Sequence, residues 1–520
     1  MELENVAEIE HATWANRMEL LRLGIAFLFI VGIMLFVGSR GSGVSHMLVV
    51  AAMIGGYMAM NIGANDVANN VGPAVGSRAI TLTGAIFIAA VFEGMGALIA
   101  GGEVVGTIKK GIIDPAMIVN TDTFIWLMMG ALLAGALWLN LATAIGAPVS
   151  TTHSIVGGVL GAGIAAGGWG IANWSTMGQI AASWIISPVM GGLIAAAFLY
   201  LIKRTITYKA DMLKAALGVV PLLIGVMAWA FSAYLALKGV KKLWKVEMGT
   251  ALMIGLGAGM LIVLITRPLI KRLSLRLEND KKSINSLFTI PLIFAAALLS
   301  FAHGANDVAN AIGPLAAIND ALTTGGIATK AAIPLWVMMV GALGIAIGLA
   351  LYGPKLIRTV GSEITELDQI RAFCIALAAA ITVIVATQLG LPVSSTHIAV
   401  GAVFGVGFLR EYLKANYARM VEEIELHHQG ADRQEVESFM ESFKAAGLEH
   451  KAAMLKQLKE HKATAELTKK ERKDLKKVYR HELVKRSALL KIIAAWLVTV
   501  PASAIMAALL YFMIRGMMLP

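Results

Sequence analysis

Two short segments of this chain occur twice and hold most of its polar chemistry. Residues 63–73 read GANDVANNVGP and residues 304–314 read GANDVANAIGP, an offset of 241 (304 − 63). Residues 147–153 read APVSTTH and residues 391–397 read LPVSSTH, an offset of 244 between prolines (392 − 148). Each copy of the first motif sets an aspartate, Asp66 or Asp307, in apolar surroundings. An ionised carboxylate inside a membrane is costly unless it is paired or faces a cavity. Arg78 is the only lysine or arginine in residues 47–100, and residues 286–329 have none. A mobile cation is therefore the expected partner. Hard cations take carboxylate, carbonyl and amide oxygens, which adds Asn69 and Asn310 to the candidate ligands. Glu93 lies mid-run without an acidic twin in the second half. It reads equally as a cation ligand or as a group that pairs elsewhere.

The second motif offers the opposite chemistry. Ser150, Thr151 and Thr152, and likewise Ser394, Ser395 and Thr396, follow a proline and precede an apolar run. That order is a helix start, with proline early and hydroxyls as caps. Free N–H groups and the helix dipole make such an end an anion site. Two such ends with six hydroxyls would enclose a tetrahedral oxyanion without any arginine. Some of the six are expected to cap rather than bind. His153 and His397 have two readings, support of the loop through a neighbouring carbonyl or a direct ligand or proton role.

The elements that position these groups are membrane helices. The chain has 520 residues, 58% hydrophobic and 15% charged, against about half apolar and a quarter charged for soluble domains. About 20 apolar residues span a bilayer as a helix. Such runs lie near residues 20–38, 47–62, 79–100, 123–146, 177–202, 215–237, 248–266, 286–302, 334–352, 370–390 and 489–513. Backbone groups in lipid must be satisfied internally, so these are helices, and the alternating segments of a barrel are absent. The 53 glycines suit tight helix packing and broken helices. Cys374, the single cysteine, excludes a disulfide framework. Glu2, Glu4, Glu8, Glu10 and Glu19 stand where a signal peptide would be basic, so the first run reads as a retained helix. The net charge of +11 is assigned to short basic loops on the cytoplasmic side, not to nucleic acid.

The expected organisation is an acidic N-terminal segment with an extra helix (1–46), a first repeat (47–202), connecting helices and basic loops (203–285), a second repeat (286–409), a charged insert (410–486) and a C-terminal helix (487–520). In each half an apolar helix runs into GANDVAN, where Gly72 and Pro73 are expected to stop the first copy, and PVS(T/S)TH then opens a short, glycine-rich run. Paired interruptions in two halves point to a midplane site built from discontinuous helices. The insert holds 18 Lys/Arg and 14 Asp/Glu and reads as a solvated helical hairpin. Loops 203–214, 238–246 and 267–282 are all basic, yet they cannot share one face if every run spans.

Two copies of GANDVAN, each followed by PVS(T/S)TH, resemble the inorganic phosphate transporter (PiT) family over residues 47–409 and the final helix. The resemblance implies an all-α polytopic membrane protein, an inverted-repeat secondary transporter with discontinuous helices and two re-entrant-type hairpins. It implies import of inorganic phosphate by symport with sodium or protons. Its ion and phosphate positions fall on Asn65, Asp66, Asn306 and Asp307 and on the six hydroxyl residues. Asn65 and Asn306 join the phosphate group, and Asp66, Asp307, Asn69, Asn310 and Glu93 the cation group. The expected partners are phosphate, sodium ions or protons and the lipid bilayer of the cell membrane. A homodimer is left open, and no cofactor, resident metal or nucleic acid is expected. The GANDVAN form favours sodium. Sulfate is the rival anion, but monohydrogen phosphate can donate its O–H to a carboxylate and sulfate at pH 7 cannot. No carbonyl filter of a channel and no nucleophile elbow, HExxH or P-loop of an enzyme is present.

Overall fold

The computed structural model describes residues 2–41, 44–147, 149–238, 246–326, 333–363, 367–426 and 486–518. Most of the insert lies outside these residues. The described part is helical, and its sole strand-like feature is one bridge between Ile113 and Ala172. Helix α1 (Glu2–Gly38) precedes α2 (His46–Asn65), α3 (Val67–Gly76), α4 (Leu82–Ala100) and the short α5 (Gly102–Lys110). Then come α6 (Thr121–Ile145), α7 (Thr151–Gly167) and α8 (Trp174–Ile202). A hairpin of α9 (Met212–Lys238) and α10 (Met248–Ser274) and the short α11 (Lys281–Leu287) join the halves. The second half has α12 (Thr289–Thr324), α13 (Leu335–Glu363), α14 (Gln369–Gln388) and α15 (Ser395–Leu426), and α16 (Arg486–Met518) ends it. Local sequence starts these helices cleanly. Thr81, Asn120, Asn173 and Asp368 each accept a backbone N–H at the first turn.

Eleven helices among the described residues are long and apolar enough to cross a membrane, and they correspond to the eleven apolar runs. Burial separates core from rim. The apolar window of α12 is 89% buried, whereas those of α1 and α10 are 11% and 17% buried. The outer helices turn leucine, methionine and phenylalanine outward, Leu20, Phe27, Met253 and Leu264 among them, as helices facing lipid do.

The halves interlock crosswise. Helix α2 packs on α13 while α12 packs on α4, and α7 packs on α16 while α15 packs on α8. Small residues permit the last two crossings. A Cβ added to Gly401 or Gly405 would land on the backbone of Pro188 or Gly192, and one added to Gly157 or Gly161 on that of Val500 or Ala504. The two glycine pairs are 244 residues apart, the offset of the second motif. Gly405→Val should therefore separate α15 from α8 and abolish recovery of monodisperse protein from membranes. Gly257, with nothing within 4 Å of its added Cβ, is the control, and Gly257→Val should be recovered normally. Overpacking inside a well-packed core costs about 1–3 kcal/mol, and more where only backbone faces it.

One expectation is corrected. Gly72 and Pro73 do not stop the first motif helix: α2 breaks nearly two turns earlier, at Asp66, and Pro73 sits inside α3. In the second half α12 runs unbroken through its motif with Pro314 inside it. Proline removes one helical hydrogen bond, and in a membrane bundle neighbouring groups absorb that loss.

The basic loops also sort themselves. Asn279 donates to the Ala210 carbonyl and accepts from the backbone N–H of Met212, so loops 203–211 and 275–288 share a side. Lys238 ends α9 at its opposite end.

Candidate substrate and ion site

The PVS(T/S)TH segments form the tips of two helical hairpins. Gly146 and Gly390 end α6 and the α14 segment with φ of 74° and 68°, left-handed values that suit glycine. The chain then turns back into α7 or α15. The ends of the first hairpin meet: Asn173 N donates to Ile112 O and Asp114 N donates to Ile171 O, at 2.9 and 2.8 Å. In the second, Arg371 at the start of α14 and Arg410 on α15 are both near enough to Lys203 for their charges to act on it.

Asn65 and Asn306 tether these tips. Asn65 Nδ2 donates to Thr143 Oγ1 (3.0 Å) and Ala147 O (3.2 Å), and its Oδ1 accepts from Val149 N (3.2 Å). Asn306 Nδ2 donates to Thr387 Oγ1 (2.8 Å) and Leu391 O (3.2 Å). Thr143 and Thr387 stand 244 residues apart, a matched pair that motif reading missed because each lies in an apolar run outside both motifs.

Ser150 and Ser394 are caps, accepting from the backbone N–H of His153 (3.1 Å) and His397 (3.2 Å). The other hydroxyls bring the halves together around Asp66 and Asp307. Thr151 donates to Asp66 Oδ2 at 2.6 Å and lies 3.4 Å from Asp307 Oδ2. Thr396 donates to Asp66 Oδ1 at 3.0 Å and Ser395 to Asp307 Oδ2 at 3.2 Å. Thr152 donates to Val393 O at 2.9 Å, hairpin to hairpin. Asn69 Nδ2 reaches Thr396 Oγ1 (2.9 Å) and Asp66 O (3.1 Å). Asn310 Nδ2 reaches Thr151 and Thr152 Oγ1, both at 3.1 Å. Every one of the fifteen residues singled out from the sequence is at most 3% exposed.

Glu93 joins the site indirectly. Its Oε1 accepts from Asn70 Nδ2 at 2.7 Å and its Oε2 lies 2.7 Å from His303 Nδ1. His303 was not anticipated: it precedes the second motif, where the first half has Ile62. Its Nε2 sits 3.1 Å from Asp307 Oδ2, at an angle too oblique for a good hydrogen bond. Asp307 thus has a basic neighbour that a search for lysine and arginine overlooked. An ionisable side chain within an apolar run was the available signal.

His153 and His397 face each other, ring centroids 4.4 Å apart, with Trp184 and Trp496 against their outer sides at 3.7 and 3.6 Å. None of the four imidazole nitrogens has a hydrogen-bond partner among the described residues.

The two GANDVAN segments keep unpartnered acceptors. Asn69 Oδ1, Asn70 Oδ1, Asn306 Oδ1, Asn310 Oδ1 and Asp307 Oδ1 are buried acceptors without a partner among the described residues. Each such group costs about 1–3 kcal/mol. One ligand atom each of Asp66, His303 and Asp307 lies within 4.8 Å of the others. Two carboxylate charges at that spacing repel by about 3–4 kcal/mol at an effective dielectric near 20. Acceptors in excess around paired carboxylates suit a hard cation such as sodium. The starts of α7 and α15 supply the N–H groups an anion needs.

Among the described residues, eleven apolar helices around a polar centre joined by two hairpin tips define an integral membrane transporter. The sequence pattern of the phosphate transporter family matches residues 62–507. The chain belongs to that family, and it is a permease, not an enzyme. It is 55% identical to a Helicobacter pylori (strain J99) protein provisionally named a phosphate permease, over 98% of both chains. A Pyrococcus horikoshii protein with the same provisional name is 40% identical over 70% of this chain and 89% of its own. A solved structure titled "The sodium-dependent phosphate transporter" superposes with a TM-score of 0.74 at 31% identity, covering 91% of this chain and all of that one.

Proposed function

We propose that this permease imports phosphate across the cytoplasmic membrane by symport with sodium, through alternating access of an inverted repeat with two re-entrant hairpins. The carrying observation is the set of five unpartnered buried acceptors on the two motifs that carry Asp66 and Asp307, with Asn69 and Asn310 joined to Asp66 through Thr396 and Thr151. The sodium-dependent transporter of similar fold supports the same choice of ion. Sodium is cargo here, held by Asp66, Asp307, Asn69 and Asn310. Phosphate sits at the starts of α7 and α15, against Thr151, Thr152, Ser395 and Thr396. Asn65 and Asn306 hold the hairpin tips in register, and His153 and His397 pack where the hairpins meet. The shared side of loops 203–211 and 275–288 is the cytoplasmic one, by its lysines and arginines.

Charge fixes the stoichiometry. Monohydrogen phosphate carries two negative charges, each opposed on entry by about 2.3 kcal/mol per 100 mV of negative-inside potential. At least two sodium ions must offset them, one for each aspartate. Initial uptake rate plotted against sodium concentration should be sigmoidal; a hyperbola would exclude two coupled ions. A proton-coupled reading draws on His303 beside Asp307, and the response to a pH gradient without sodium decides between the two.

The hydroxyls should separate substrate from ion. Thr152→Ala frees the Val393 carbonyl and removes one of the two acceptors of Asn310 Nδ2, which keeps Thr151, so it should raise the phosphate concentration for half-maximal uptake more than that for sodium. Thr396→Ala, whose hydroxyl serves Asp66, should raise both. A lost hydrogen bond to a charged group costs about 1.5–3 kcal/mol, or one to two decades. Unchanged phosphate dependence in both variants would return these threonines to simple capping.

A further inference from the structure

The two repeats supply matched aspartates, but their surroundings are not matched. Asp66 sits at a break between two helices, and both its oxygens accept hydroxyls from the hairpin starts, Thr151 of α7 and Thr396 of α15. Asp307 sits within the continuous, deeply buried α12. Its Oδ2 is crowded by Ser395, Thr151 and His303, while its Oδ1 has no partner among the described residues.

A relay that reaches only one of the two aspartates adds to this difference. Asn70 on α3 donates to Glu93 on α4, and Glu93 meets His303 on α12, each at 2.7 Å. His303 then lies one helical turn from Asp307, 3.1 Å from its carboxylate. At the 241-residue offset His303 corresponds to Ile62 and Asn70 to Ala311. Residues 335–354, the apolar part of α13, contain no acidic residue to stand for Glu93. The relay is also held close: a Cβ added to Gly304, next to His303, would strike the backbone of Glu93 itself. Glu93 spends both oxygens within the relay, so its geometry suits a positioning residue better than an ion ligand.

We propose that Glu93 and His303 form a clamp that makes the Asp307 centre a preformed sodium site, filled first and more tightly than the Asp66 centre. The proposal rests on the sodium-coupled reading given above. The clamp holds His303 against Asp307 Oδ2 and leaves Oδ1, which has no partner among the described residues, for the ion, so little reorganisation accompanies binding. Asp66 must exchange or share two hydroxyl bonds from the mobile partners of alternating access, the hairpin starts. Its sodium therefore binds with hairpin movement and with phosphate.

The test is equilibrium binding of radioactive sodium to the purified full-length chain in lipid nanodiscs, without phosphate. Wild-type protein should show a tight and a weak class of site. Asp66→Asn should keep the tight class, and Asp307→Asn should lose it. His303→Gln and Glu93→Gln should weaken the tight class by about 10- to 100-fold, the usual effect of removing an outer-shell partner. Neither substitution should move the weak class, a selectivity that general destabilisation would not give. Glu93→Asp should recover part of the loss. Asn70→Ala, which removes only the outer end of the relay, covers the case in which the two glutamine variants do not fold, and it should weaken the same class. Two equivalent sites in wild type, or a tight class unchanged in every folded relay variant, would overturn the clamp and leave sodium coupling standing. Absence of sodium binding to wild type would overturn both.

Discussion

Asp66→Asn and Asp307→Asn are each expected to nearly abolish sodium-driven phosphate uptake while leaving the protein folded in the membrane. Asparagine keeps the shape and the acceptor oxygen, so Thr151 can still donate at position 66, and the new amide group can donate to Thr396, whose oxygen is an acceptor as well as a donor. What disappears is the charge that holds a cation in a site less than 3% exposed. Removing one partner of a buried ion pair typically costs about 3–5 kcal/mol, roughly two to four decades in an equilibrium constant. The check is uptake of labelled phosphate into proteoliposomes at matched protein content, with retained folding shown by size-exclusion profile and melting temperature. Near-normal uptake by either variant would remove that aspartate from the cation site.

Thr151→Val is the second large effect expected, and it separates network from shape. Valine fills the same volume but lacks the hydroxyl. That one group donates to Asp66 at 2.6 Å and accepts from Asn310 at 3.1 Å, so its loss leaves Asp66 Oδ2 without its donor and Asn310 with Thr152 alone. An unsatisfied buried polar group costs about 1–3 kcal/mol, and a lost bond to a charged group about 1.5–3 kcal/mol. The sodium concentration for half-maximal uptake should rise about 10- to 100-fold on that scale, with Thr151→Ser close to wild type. A valine variant as active as the serine variant would mean that the hydroxyl only caps α7.

The helices and the motif pairs were legible because their signals are local. Apolar length marks the spans, and proline followed by hydroxyls marks the starts of α7 and α15. Partners far apart in sequence were not legible. Glu93 finds His303 across 210 residues, and nothing in either flank specifies that meeting. His303 was further hidden because a search for fixed basic partners stopped at lysine and arginine. The break at Asp66 misled for another reason: proline forbids one hydrogen bond but not a helix, and the chain continued to Gly76. The crosswise pairing of the halves is visible in Gly157, Gly161, Gly401 and Gly405 only once each is known to face backbone. Residues 427–485, which read as part of a charged helical insert, lie outside the described residues.

Sodium-coupled phosphate import is tested most directly by labelled phosphate uptake into proteoliposomes at fixed pH. External sodium is replaced by potassium or choline, and uptake is measured again with an inward proton gradient and no sodium. Uptake should require sodium, follow its gradient with a sigmoidal concentration dependence, and ignore the pH gradient when sodium is absent. Uptake that persists unchanged without sodium and tracks the pH gradient would make this chain a proton symporter.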